Sequence, residues 1–350
     1  MSLMSIRKSP FGSVEGEAVE AFEIERGGCR AKIITYGAIL SEFHVPDGAG
    51  GMADIVLGYD DLDSYRRYRG STGAICGRYA NRIANARFEL DGAIHDLSVN
   101  EPPNHIHGGF KGFNKRVWQA KPDAANDAVR LTLRRPDGDE GYPGTMNAAV
   151  TYRLTADAAL EIVMEATCDR PTVVNMVYHG YWNLAGHAHG HIKDHVLTLA
   201  ADHYTPVGPG KIPTGDITAV ADTAFDFRTG KRIGADIFDT AQLPEAGYDH
   251  NFCLNGSAGT LRRAVHVHDP LSGRSLAILT DQPGVQFYTG DHFAASPAIG
   301  KGGAIYGKHC GFALETQVYP NAPNTPHFPS AVLRPGETYR HVMLIPIVAP

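Results

Sequence analysis

An all-β fold, a large antiparallel β-sandwich in one domain, follows from three features of the sequence. Short runs rich in β-forming residues recur along the whole chain, separated by Gly, Pro, Asn and Asp. Apolar spacing of three, four and seven never persists for about 12 residues, so helices are minor. The 39 Gly and 22 Pro supply many turns, and a hydrophobic fraction of 43% supplies a real core. No repeat of about 20–50 residues and no linker of biased composition divides the 350 residues.

Residues 22–25, 30–36 and 39–45 read as strands because β-formers are separated there by GG or YG breaks. Residues 54–59 (DIVLGY) form another, and 62–69 read as a short helix or an irregular loop. Residues 86–92 run into a DG turn from which 94–100 return. Residues 118–123 and 128–144 give strands with turn chemistry between and after them. In 147–154 and 159–167, Val150, Tyr152 and Leu154, then Leu160, Ile162, Met164 and Ala166, keep a period of two. A third strand covers 173–182, and 195–207 is a strand followed by a turn. Residues 209–243 read mostly as loop, with a short helical turn at 232–238. Strands resume at 250–254, 261–268, 275–280, 285–289, 311–319 and 341–348, and the long connection 291–307 forms the rim of a cleft.

The net charge is −6, from 32 basic and 38 acidic residues with no strong block of either sign. That balance argues against nucleic acid and against an anionic membrane surface. Cys29, Cys76, Cys168, Cys253 and Cys310 are odd in number and far apart, which suits buried free thiols in a reducing compartment. No apolar run reaches the roughly 20 residues of a membrane span. The N-terminus lacks the apolar stretch of a signal peptide, so the expected location is cytoplasmic. Residues 1–3, ahead of Met4, read as an expression scar, leaving 4–350 as the domain.

No dinucleotide fingerprint, P-loop, HExxH or GxSxG occurs, and the glycine-rich 300–308 lacks P-loop spacing. Of the 17 histidines, His187, His189, His191 and His195, backed by Asp194, are loosely spaced in a Gly/Ala loop. That spacing reads as a solvated loop rather than a metal site. His266 and His268 share a strand face and suit hydrogen-bonding roles.

The segment 311–330, GFALETQVYPNAPNTPHFPS, carries more chemistry. Phe312, Leu314, Thr316 and Val318 alternate with Ala313, Glu315, Gln317 and Tyr319, and a proline-rich turn then ends the ladder. The second set resembles the floor of a polar cleft. Taken alone, Glu315 reads equally as a catalytic carboxylate or as an exposed strand residue. Other segments gather similar groups: Arg78 and Arg82 in CGRYANRI, His105 and His107 in NHIHGGF, and Asn175, Val177, His179 and Tyr181 on one face of VNMVYHGYWNL. Asp249 lies in GYDHNF, and Gln286 and Tyr288 in PGVQFYTG. Sugar sites combine aromatic faces for C–H patches with Asn, Asp, Arg and His for hydroxyls. Each residue also has a structural reading: an ion pair for Arg82, a satisfied histidine for His179, a turn residue for Asp249.

Together these segments, with DGDEGYPGT, FDFRTG and DPLSGR, occur in the order found in the aldose 1-epimerase family, over about residues 20–345. The chain resembles that family. The resemblance implies a large antiparallel β-supersandwich with an open sugar-binding cleft. It further implies exchange of the α and β anomers of a free monosaccharide, with no cofactor and no metal, by a monomer or homodimer. By position, Glu315 matches the general base and His179 the general acid. Arg82, His107, Asp249, Asn81 and Gln286 match residues that contact the sugar or line its site. His179 would have to start protonated, and nearby carboxylates are expected to raise its pKa. A sugar-phosphate 1-epimerase, drawing on Arg66, Arg67, Arg69 and Lys301, and a non-catalytic carbohydrate-binding protein are the alternatives; a histidine-metal sugar isomerase or lyase is a further one. Two local departures bear on specificity. The family usually has Thr-Asn-His-Ser-Tyr-Phe where this chain has Val177-Tyr178-His179-Gly180-Tyr181-Trp182, and Asn-Phe-Leu-Asp-Gly where it has Asp291-His292-Phe293-Ala294-Ala295.

Overall fold

Strand pairing is antiparallel throughout the named sheets. The computed structural model describes residues 6–47, 50–68, 70–239 and 247–348. Residues 1–3 and Arg69 lie outside them.

The largest sheet has nine strands, ordered Gln119–Asp123, Ala128–Arg135, Met146–Leu154, Ala159–Cys168, Tyr339–Val348, Ser275–Thr280, Arg262–His268, Val196–Leu199 and Lys231–Arg232. A six-stranded sheet runs Tyr181–Trp182, Phe312–Gln317, Gly284–Tyr288, Asp249–Cys253, His203–Thr205 and Thr218–Ala219. A five-stranded sheet runs in chain order from Arg7–Val14 to Met52–Asp54. One apolar cluster draws on all three: Phe22, Ile33 and Phe43 from the five-stranded sheet, Val150, Ile162 and Met343 from the nine-stranded, and Phe287, Phe312 and Leu314 from the six-stranded. The six-stranded sheet therefore buries one face in this core and leaves the other for polar groups. The cysteines are free thiols, all buried except the half-buried Cys168.

Several elements differ from the sequence reading. Arg7–Val14 and the first residues of Glu17–Arg26 form an edge hairpin that the pattern did not announce. Arg7–Val14 is exposed or half-buried throughout, so it has no apolar alternation to read. The expected strand 173–182 breaks into Thr172–Val173, Val177–His179 and Tyr181–Trp182. Asn175 fills the first gap, taking a hydrogen bond from the Val318 amide at 3.0 Å. The expected helical turn at 232–238 is absent; Lys231–Arg232 pair with Val196 and Leu197 instead. Leu62–Arg67 is helical, capped by the Asp61 side chain, which accepts from Ser64 N at 2.7 Å.

The connection 291–307 holds a short helix, His292–Ala295, and a hairpin of Ala298–Ile299 with Ile305–Tyr306. Lys301 fixes its base. Its buried ammonium donates to Ser41 O at 2.7 Å and Val56 O at 2.9 Å, and pairs with Asp54. All three donors of the ammonium are thus used inside the protein. Removing one partner of a buried pair leaves the other charge uncompensated. Lys301→Met is expected to lower stability by about 3–5 kcal/mol in urea unfolding, and a loss below about 1 kcal/mol would show that the anchor contributes little.

Candidate active site

The polar face of the six-stranded sheet is set by register. Thr205, Asn251, Gln286 and Glu315 oppose one another across four adjacent strands. Directly opposed residues point to one face, so they form a row. The neighbouring row places Asp249 opposite Tyr288 and Tyr288 opposite Ala313. Phe252, Val285, Phe287, Phe312 and Leu314 project the other way into the core. The alternation read from residues 311–317 is the alternation in the fold.

Buried amides need partners, and here they use one another. Gln317 Nε2 donates to Asn251 Oδ1 at 3.0 Å and to Gln286 Oε1 at 3.1 Å. Gln286 Nε2 donates to Asp249 Oδ1 at 2.7 Å, and Lys211 Nζ to Asp249 Oδ2 at 3.0 Å. Gln317 therefore does not orient Glu315 directly. Gln286 stands behind Asp249 rather than on the cleft surface.

A second wall carries His179, at the end of Val177–His179, which pairs with Ala74–Cys76. Its Nε2 lies 3.4 Å from Glu315 Oε1, with side-chain exposures of 6% and 3%. Arg82 and His107 come from a two-stranded ribbon in which Ile106 opposes Arg82. Asn81 and His107 both take left-handed backbone conformations, φ +60° and +49°. Reciprocal bonds hold them: His107 N donates to Asn81 O at 3.1 Å, and Asn81 N to His107 Nδ1 at 3.2 Å. With Nδ1 accepting, His107 carries its proton on Nε2. Its ring meets that of His179 edge to face, centroids 5.2 Å apart. Glu101 grips Arg82 through two bonds of 2.6 and 2.8 Å.

These walls enclose a cleft of about 710 Å³, lined by Asn81, Arg82, His107, His179, Asp249 and Glu315 together with Lys211, Tyr288 and His292. Burial sets its electrostatics. Burial, and then the Asp249 charge, push Glu315 well above the ordinary carboxylate range, with Arg82 opposing. Burial pulls His179 down to about 4, only partly offset by Asp249. The expected rise of the His179 pKa is thus reversed, because desolvation of the cation outweighs the carboxylates. His107 is held well below the ordinary imidazole range by burial, His179 and Arg82. For Asp249 burial acts upward, but Lys211, Arg82 and the bonds from Lys211 and Gln286 win, bringing it to about 2. Burial thus favours the uncharged form of both members of the pair, beside an Asp249 carboxylate that its partners keep charged. Among the described residues no group hydrogen-bonds the buried Glu315 Oε2.

Glu101 and Lys211, which both hold charged partners in the cleft, escaped the sequence reading. Glu101 sits in a segment rich in other signals, and Lys211 in a stretch that reads as featureless loop. Of the cations invoked for a phosphate, Arg66 and Arg67 line the cleft, whereas Lys301 is buried away from it. The histidine loop is structural where its bonds are seen: His187 Nδ1 meets Tyr306 Oη at 3.0 Å, and His195 Nε2 accepts from Leu184 N at 3.0 Å. Among the described residues the trio Glu42, His44 and Asp54 has metal-ligand spacing. Lys32 and Lys301 already neutralise it, and none of the three lines the cleft.

The two departures beside His179 have a packing cause. Tyr178 projects into the main core, and its ring folds over Gly180 so closely that a Cβ there would lie 2.1 Å from Tyr178 Oη. A tyrosine at 178 thus requires glycine at 180, and neither lines the cleft. The departure at 291–295 does reach it: His292 Nδ1 lies 3.0 Å from Tyr288 Oη, with the rings stacked.

Residues 20–345 match the family model described as aldose 1-epimerase. Human galactose mutarotase is 42% identical, over 97% of each chain. The aldose 1-epimerase of Escherichia coli K12 is 38% identical over 89% of this chain and 90% of its own. Among solved structures, an aldose epimerase homologue from C. elegans superposes with a TM-score of 0.87 at 31% identity, covering 95% of this chain and 99% of that one. Galactose 1-epimerase from Lactobacillus acidophilus gives 0.85 at 29% identity, covering 99% of each.

The Tyr178–Gly180 contact has a direct consequence for stability. Gly180→Ala is expected to cost about 1–3 kcal/mol in the native background and less than about 0.5 kcal/mol when Tyr178→Ala is also present. A double-mutant cycle by chemical denaturation measures the difference, and equal costs in both backgrounds would refute the contact.

Proposed function

The chain belongs to the aldose 1-epimerase family, and on that premise we propose that it exchanges the α and β anomers of a free aldose by acid–base opening and closure of the ring. The observation that carries this reading is the buried Glu315–His179 contact within a cleft lined by polar and charged side chains. Binding alone needs no such pair. Mutarotation needs a proton taken from the anomeric O1 hydroxyl and another given to the ring O5, as C1–O5 breaks and C1=O1 forms. Rotation about C1–C2 presents the other face of the aldehyde, and the same steps run in reverse.

Glu315 serves as base at O1 and His179 as acid at O5. Burial favours the uncharged pair, with its one proton on Glu315. Transfer of that proton to His179 creates the carboxylate and imidazolium without uptake from solvent. Sugar hydroxyls that donate to the carboxylate and accept from the imidazolium favour that transfer. After ring opening the pair is again carboxylic acid and neutral imidazole. The resting form and the form facing the open aldehyde are thus the same. Asp249 and Arg82 accept from and donate to hydroxyls away from C1, and His107 Nε2–H is a further donor. Of the cations a sugar phosphate would draw on, Lys301 is spent on Asp54 and two carbonyls, which leaves Arg66 and Arg67 at the cleft. Galactose, named for the relatives, is the first aldose to assay.

Glu315→Gln keeps the shape and removes the base, so anomer exchange followed by polarimetry or NMR is expected to fall about 10²–10⁴-fold; unchanged exchange would remove Glu315 from the base role. The active pair holds one proton. A second is added as pH falls through the His179 value, so kcat/KM is expected to decline on the acid side at about 4. It declines on the alkaline side above the ordinary carboxylate range, as the one proton is lost. An acid limb at the usual histidine pKa would contradict the buried, lowered imidazole.

A further inference from the structure

We infer that Lys211 is a positioning and binding residue of the sugar site, holding Asp249 as an oriented acceptor and completing with it a donor–acceptor pair for two neighbouring sugar oxygens. This rests on the anomer-exchange reading of the cleft.

The loop carrying Lys211 is built to place it. Val207 bridges Pro213, Thr214 N donates to Pro206 O at 2.9 Å, and Gly208 N donates to Ile212 O at 2.8 Å. The chain can close so tightly because Gly210 and Lys211 both take left-handed conformations, φ +68° and +57°. For a lysine that conformation is disfavoured, so the surrounding bonds must impose it. A Cβ on Gly210 would lie 3.0 Å from Asn104 Nδ2, so the loop tip abuts the segment that supplies Glu101 and His107. The tip thereby closes one side of the cleft.

From there the ammonium reaches Asp249 Oδ2 at 3.0 Å and stands 6.0 Å above the centre of the Tyr288 ring. Its side chain is 27% exposed and lines the cleft. An ammonium has three donors, and Asp249 takes one. In the inferred complex the others serve sugar oxygens beside the carboxylate. Vicinal hydroxyls are matched by one fixed donor and one fixed acceptor at this spacing. Asp249 is faced by Lys211 from this loop, by Arg82 from the ribbon, by Gln286 from its own sheet, and by Glu315, His179 and His107 across the cleft. His250, Tyr288 and Tyr181 also sense its charge. Without Lys211, burial acting on Asp249 would be opposed by Arg82 and Gln286 alone, and protonation would blunt it as an acceptor.

The test compares Lys211→Met and Lys211→Arg in anomer exchange across pH, with an aldose the wild type turns over. Lys211→Met is expected to raise KM about 10–100-fold and to move the acid limb of kcat/KM upward, because protonation of Asp249 is then added to that of His179. Lys211→Arg is expected to restore most of both. A Lys211→Met enzyme with wild-type KM and acid limb overturns the inference. So does a Lys211→Arg enzyme that keeps the defects of Lys211→Met while its thermal unfolding matches the wild type. Absence of exchange by the wild type on every aldose would instead overturn the reading of the cleft itself.

Discussion

Burial of a carboxyl and an imidazole in one contact is the constraint on which the rest of the site depends. Each charged form is costly away from water, so burial favours the arrangement with one proton and no net charge. Such a pair is chemically useful because it can exchange that proton internally. It is also hazardous to the fold, since a single misplaced neighbour would leave a buried charge uncompensated. The cleft answers this by neutralising its fixed ions locally. Asp249 is held by Lys211 and Gln286, and Arg82 by Glu101.

The six-stranded sheet makes that arrangement rigid. One face joins the apolar core through Phe287, Phe312 and Leu314, so register is fixed by burial. A slip of one residue would send Glu315 into the core and Leu314 into the cleft. On the polar face the amides of Asn251, Gln286 and Gln317 satisfy one another in the same register. Hydrophobic packing on one side thus sets hydrogen-bond geometry on the other. The rim follows the same logic, with Lys301 tying 291–307 to the five-stranded sheet from beneath.

Much of this was legible in the sequence where a pattern was local. The alternation around Glu315 is a property of six consecutive residues, and the antiparallel strands announced themselves by period two and by turn chemistry. The edge strand Arg7–Val14 was illegible because it has no buried face. The break between Val173 and Val177 depends on Asn175 bonding to residues far away in sequence. Lys211 had no signal at all, since its meaning comes from a loop closure and from Asp249 on another strand. Gln286 was legible as a polar strand residue, but its place behind Asp249 was not. The charge state of His179 went the other way from the sequence expectation because burial depth is a property of the whole fold. Tyr178 and Gly180 looked like changes near a site; they are one packing solution.

The account stands most directly on the proton count of the Glu315–His179 pair. NMR of protein carrying ¹³C-labelled glutamate and ¹⁵N-labelled histidine reads both groups at neutral pH, with Glu315→Gln and His179→Gln giving the assignments. The free protein should show Glu315 as a carboxylic acid and His179 as a neutral imidazole. An ionised Glu315 beside a neutral His179, or a proton on both, would contradict the single-proton pair.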